Sequence, residues 1–272
     1  MNNLITGWRK LSVFSLVFLL LLDSATVVAQ QWVPPENPDP VQIRDEAEAD
    51  IEQGRLDVAA EKYLWYHHNA LKYRPSLGGV RLSYALGDWR DLADKYPPAL
   101  QDMRLVRDRA EESLRTKGGD FHAFHDFVAL NDVLREDGRT IELFKWLDQN
   151  DRHLARSAFI VAQDALVAGS EYVLCEKYIV GRNSFDSIIE RHEDTVRRFT
   201  ERYKDEPDAR IFESFDMSFA RRTSFIVAIL VNRDRFSEAE GIAERALQLL
   251  EDDTHRVQIS DALEGIPPER FR

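Results

Sequence analysis

Cysteine is almost absent from this 272-residue chain, which carries one, Cys175. A single thiol cannot close an internal disulfide, so no disulfide framework holds the fold, even in an oxidising compartment. Its setting, Tyr172 to Tyr178 (YVLCEKY), is apolar and suits a buried, inert thiol better than a nucleophile. Glycine and proline are scarce, at 12 and 10 residues. No convincing run alternates apolar with polar side chains. Tyr172 to Val180 is the best strand candidate, and it sits inside a helical pattern. Catalytic motifs are missing as well: there is no GxSxG elbow, no P-loop, no GxGxxG turn and no HExxH pair. Paired acids such as Glu111 with Glu112, or Glu171 with Glu176, read as solvated helix faces. Positive charge is in deficit, with 36 Lys and Arg against 48 Asp and Glu and a formal net charge of -12. So acidic a chain repels phosphate backbones, which disfavours general nucleic-acid binding.

What is present begins with a targeting segment. Arg9 and Lys10 precede an apolar run from Leu11 to Leu22, and Val27-Val28-Ala29 places small residues at a cleavage position. The run is too short to span a bilayer, which takes about 20 residues, and Asp23 stops its extension. Residues 1–29 are therefore expected to be a secretory signal cleaved after Ala29, which makes the protein periplasmic or secreted. An uncleaved anchor is the alternative, and the only route by which a membrane enters. Residues 30–39 are Pro-rich and polar, as in an extended linker. Asp39 followed by Pro40 then has the form of an N-cap with proline at the first helical position, and Gln42 completes a capping-box pattern.

From Pro40 onward the pattern is helical. Phe185, Ile188, Ile189, Val196, Phe199 and Tyr203 form one apolar stripe over about Ser184 to Lys204. Leu100, Met103, Val106, Ala110 and Leu114 form another, ending at Gly118-Gly119. Similar segments recur after Gly54, Gly87, Gly138, Gly169 and Asp234, at separations of 33, 51, 31 and 65 residues. The 51-residue gap contains one extra helix from Pro98 to Lys117, and the 65-residue gap a whole extra pair. A period in this range signals stacked helix pairs. Five residues after each turn stands a small or apolar residue: Ala59, Leu92, Leu143, Leu174, Ala239. Four residues later comes another: Tyr63, Tyr96, Leu147, Tyr178, Ala243. Both sets are expected to face the first helix of their pair.

These units resemble the tetratricopeptide repeat. Asp234-Arg235-Phe236 with Ala239, Ala243 and Ala246, and Gly54 with Leu56, Ala59 and Tyr63, carry the likeness best. Gly87-Asp88-Trp89 carries it in part. The resemblance implies an all-α fold: an α-solenoid of stacked antiparallel helix pairs in a right-handed superhelix, over residues 40–265, with 266–272 as a C-terminal tail.

The resemblance also implies a concave groove lined by the first helix of each pair. Counting back from the turns places Arg44, Glu48, Arg81, Tyr84 and His125 along it. Asp132, Arg135, Arg156, Gln163, Arg221 and Asn232 continue the lining. Arg forks suit carboxylates, so the expected ligand is a protein or peptide partner, possibly acidic, bound without catalysis and without a cofactor. Two other readings stay open. His122 and His125, three apart in FHAFHDF, share a helix face and are the weak candidate for a metal-dependent enzyme, and a carbohydrate-active helical enzyme with distant carboxylates belongs to the same class. The third reading is a structural component of a cell-envelope assembly.

Overall fold

A computed structural model describes residues 32–117, 120–179, 184–203 and 209–268. The signal segment at 1–29, the Gly118-Gly119 stop and the last residues of the tail lie outside them. Residues from Pro34 onward form one compact unit, and it is all-α, with no strand among the described residues. In chain order the helices are α1 (Pro40–Glu52), α2 (Leu56–Tyr73), α3 (Gly78–Leu82), α4 (Tyr84–Lys95) and α5 (Pro97–Lys117). They continue with α6 (Phe121–Leu134), α7 (Asp137–Asn150), α8 (Arg152–Ala168) and α9 (Tyr172–Glu176). The last four are α10 (Phe185–Arg202), α11 (Ala209–Val231), α12 (Phe236–Leu247) and α13 (Asp253–Leu263).

Aspartates open four of these helices. Asp39, Asp120, Asp151 and Asp252 each accept a backbone N–H of the first turn, from Val41, His122, Leu154 and Thr254 at 2.7–3.0 Å. The capping box at α1 is not formed as expected: Gln42 donates its amide to Glu46, one turn further on, at 2.9 Å.

Gly54 (φ 75°) and Asp234 (φ 59°) make left-handed reversals between helices, and Gly169 ends α8. Two turn positions differ from expectation. Gly138 lies within the first turn of α7, and the left-handed residue before that helix is Arg135, at φ 59°. Gly87 lies inside α4, which is entered at Ser83, the residue that ends α3. A mid-helix glycine costs only about 1 kcal/mol. Burial of Leu86, Trp89, Leu92 and Ala93 on the same helix outweighs that several-fold. The strand candidate at Tyr172 is the start of helix α9, with Leu174 and Cys175 turned inward.

The packing register follows the apolar spacing closely. Ala59, Leu92, Leu143, Leu174 and Ala239 are buried, as are Tyr63, Leu147, Tyr178 and Ala243, and Tyr96 is half-buried. Helix contacts are local: α1 packs on α2, α2 on α4, α4 on α5 and α6, α6 on α7 and α8, and α11 on α12 and α13. The core has two main clusters. One joins Ala47, Tyr63, Trp89 and Met103, and the other runs from Leu114 through Phe159 to Ile259. Helix α6 serves both, giving Leu130 to the first and Phe124 and Phe127 to the second.

Candidate functional site

Helix α8 carries the most distinctive surface. Its buried face, Leu154, Ala155, Ala158, Phe159, Ala162 and Leu166, is inserted into the larger core cluster. Arg152, Arg156, Ile160 and Asp164, at steps of four, share the opposite face, and Gln163, itself buried, lies at its edge. Ile160 is 44% exposed, a large apolar side chain left in solvent between charged neighbours.

Cavities open at both ends of this face. Beside Arg152 and Arg156, a cavity of about 220 Å³ is completed by Asp148, Lys177 and Tyr178. Tyr178 donates its hydroxyl to Asp148 at 2.6 Å and Lys177 donates to the other carboxylate oxygen at 2.9 Å. Burial alone would raise the pKa of Asp148, but those two bonds hold it below the ordinary carboxylate range. The carboxylate is thereby committed to Lys177 and Tyr178, while Arg152 and Arg156 face the cavity.

At the other end Ile160 and Gln163 meet α11. A cavity of about 280 Å³ is lined by Asp164, Met217, Arg221 and Phe225 with them. A neighbouring cavity of about 190 Å³ lies between α10 and α11, lined by Arg191, His192, Phe215 and Phe219. Arg222 borders both. Arg221 is bound to Asp164 and stacks its guanidinium over Phe225, 4.9 Å from the ring centroid. Among the described residues no acid is paired with Arg222, and burial and the like charge of Arg191 lower its pKa. His192 stacks on Phe219 at 4.6 Å with Asp216 3.4 Å away, and burial lowers its pKa.

Of the residues expected along a groove, Arg156, Gln163 and Arg221 come together here. The others lie elsewhere. Arg81 is buried and reaches from α3 to α6, where Asp126 accepts both of its terminal nitrogens, one bond measuring 3.0 Å; it also donates to the His67 carbonyl at 3.3 Å. His125 is half-buried against Phe121, at 5.7 Å between ring centroids. Arg135 is the exposed left-handed cap of α6. The Asn232 amide donates to Ala228 and Gly265 carbonyls at 2.8 and 3.0 Å, which fastens the end of α11 to the last turn. Tyr84 is 75% exposed at the start of α4, and Arg44 lies 3.6 Å from Asp45 and Glu48. His122 also packs by Phe121, and among the described residues no group of three His, Cys, Asp or Glu side chains is placed to hold a metal ion.

Arg152, Lys177, Arg191 and Arg222 escaped the sequence reading. The Arg221-Arg222 doublet and the spacing of Arg152, Arg156 and Ile160 were the available signals. α10 was read only for its apolar stripe, so Arg191 went unremarked. No protein-family model matches the chain, and no curated protein or solved structure matches it.

Proposed function

We propose that this chain is an extracytoplasmic helical-repeat protein that binds a protein partner along the exposed face of α8 and its α10–α11 flank, without catalysis. One observation carries the reading: the cavities on this face are lined by six basic side chains, Arg152, Arg156, Lys177, Arg191, Arg221 and Arg222, and two acidic ones, Asp148 and Asp164. Both acids are already bound within the protein. A chain of net charge -12 thus concentrates positive charge at one place, which is what an acidic partner needs.

A solenoid of helix pairs, right-handed as the repeat likeness implies, draws support for its stacking from ion pairs between elements. Arg104 pairs with Glu136, Arg139 with Asp108 and Lys177 with Asp148, at separations of 32, 31 and 29 residues. Arg233 and Arg235 pair with Glu176, and Arg221 with Asp164, at 57, 59 and 57. One span and about twice that span recur, as they do when each unit is tied to the next. Export rests on Arg9, Lys10 and the apolar run to Leu22; among the described residues no helix is long and apolar enough to cross a membrane.

A photo-crosslinking side chain at Ile160, in the full chain expressed in its own cell, tests the reading. A discrete adduct is expected at 160, absent when the probe sits at Glu240 on α12 and lost in Arg222→Glu. No adduct, or the same adducts from both positions, overturns it.

A further inference from the structure

We infer that the occupant of this face is an extended acidic peptide segment bearing two carboxylates three or four residues apart, with an apolar side chain between them. The inference rests on the binding role proposed above and specifies its ligand.

The spacing comes from α8 itself. Arg156 borders the first cavity and Gln163 the second. Seven residues of helix at 1.5 Å each place them about 10 Å apart along the axis. An extended peptide advances about 3.3 Å per residue, so three or four residues span that length. One carboxylate meets Arg152 and Arg156, whose neighbour Asp148 is occupied by Lys177 and Tyr178. The other meets Arg222, which borders both cavities on the α10–α11 flank and has Arg191 beside it, with no acid paired to it among the described residues. Guanidinium groups bind carboxylates through paired N–H bonds, which fixes orientation as well as charge. Between the two basic ends stands Ile160, exposed, with Phe225 and Met217 beyond it in the second cavity. That apolar midpoint fits a leucine-like side chain and offers nothing to a sugar-phosphate chain.

The test is fluorescence anisotropy on the purified protein with labelled, end-blocked peptides. The parent peptide has two glutamates four residues apart and a leucine midway. Replacing either glutamate with glutamine is expected to weaken binding roughly tenfold, the size of one charge-assisted contact. Moving the glutamates to a spacing of one or of eight, or replacing the leucine with serine, is expected to weaken it as well. In Arg222→Gln one of the two glutamate substitutions loses its effect and the other keeps it, and in an Arg152→Gln, Arg156→Gln double variant the pattern reverses. Circular dichroism verifies that the helices persist in both variants. Equal binding of the glutamine peptides, indifference to spacing, or tighter binding of polyphosphate or of a short oligonucleotide overturns the inference. If any of these occurs while the crosslink at Ile160 persists, the ligand class is wrong and the binding role stands. If the crosslink is absent too, both fall.

Discussion

At Gly54 the backbone sits at φ 75°, a conformation in which a Cβ crowds the following carbonyl. Gly54→Ala is therefore expected to destabilise the fold by about 1 kcal/mol, although a Cβ there would meet no neighbour within 4 Å. Gly87→Ala should do the opposite. That residue is helical, a Cβ would enter open space, and the alanine restricts the unfolded chain, so a gain of roughly 0.5–1 kcal/mol is expected. Urea midpoints of the two variants, moving in opposite directions, check the pair together. His67 sets a second residue-scale expectation. Burial, with Arg81 alongside, pushes its pKa down from 6.5 to about 4. The unfolded chain then binds the proton more readily between those values, so stability is fully present above pH 6.5 and is lost as the pH falls toward 4. The shift corresponds to a few kcal/mol at most, about 3. Replacing the imidazole by an amide, His67→Gln, should flatten the acid side of the stability curve, read from urea unfolding at pH 5 and pH 7. The partly buried His68, His125 and His192 also have lowered pKa values, so a residual slope of the same sign remains.

Between elements, burial decides which charges matter. Arg81 on α3 is 8% exposed at its side chain, and Asp126 on α6 is 24% exposed; their pair links two elements across the N-terminal half. Asp126→Ala leaves a buried guanidinium without its carboxylate and should cost about 3 kcal/mol. Asp94→Ala removes the partner of Arg90 on the exposed side of α4, where the side chains are 64% and 31% exposed. That loss should stay within about 0.5 kcal/mol. Thermal or urea unfolding of the two single variants makes the comparison. The same distinction explains what could be read from the sequence. Apolar spacing fixed the inward register at Ala59, Leu92, Leu143 and Ala239, because removing a side chain from water is a one-body effect that periodicity records. It also found α5 and α10 within a residue or two. It misjudged Gly87, because a glycine codon shows permission to turn and not the turn itself. It placed Arg81 in a groove because an arginine's sequence position says nothing about an acid 45 residues away that draws it inward. Arg222 was missed for the converse reason: its character comes from a neighbour on α10, Arg191, that its sequence position does not reveal.

For the molecule as a whole, local packing carries a consequence for how it opens. Most helices touch only the next one or two along the chain, and the two core clusters share only α5 and α6. In such a chain stability is close to a sum of units and their nearest-neighbour contacts, so damage spreads with distance attenuated. Leu92 is fully buried in the N-terminal cluster, and Leu92→Ala should cost about 2–5 kcal/mol, by lost burial and the cavity left behind. If units are coupled only to neighbours, hydrogen exchange measured by mass spectrometry should speed up in α1, α2, α4 and α5 first. Amides of α8, α11 and α13 should keep most of their protection. Phe159→Ala, in the second cluster, should give the mirror image, with α5 and α6 loosened in both variants because they contribute to both cores. Uniform acceleration along the chain in either variant would instead identify one indivisible cooperative unit. It would remove the physical basis for reading the recurring segments as repeats, since a repeat that unfolds only with every other repeat has no energetic boundary of its own.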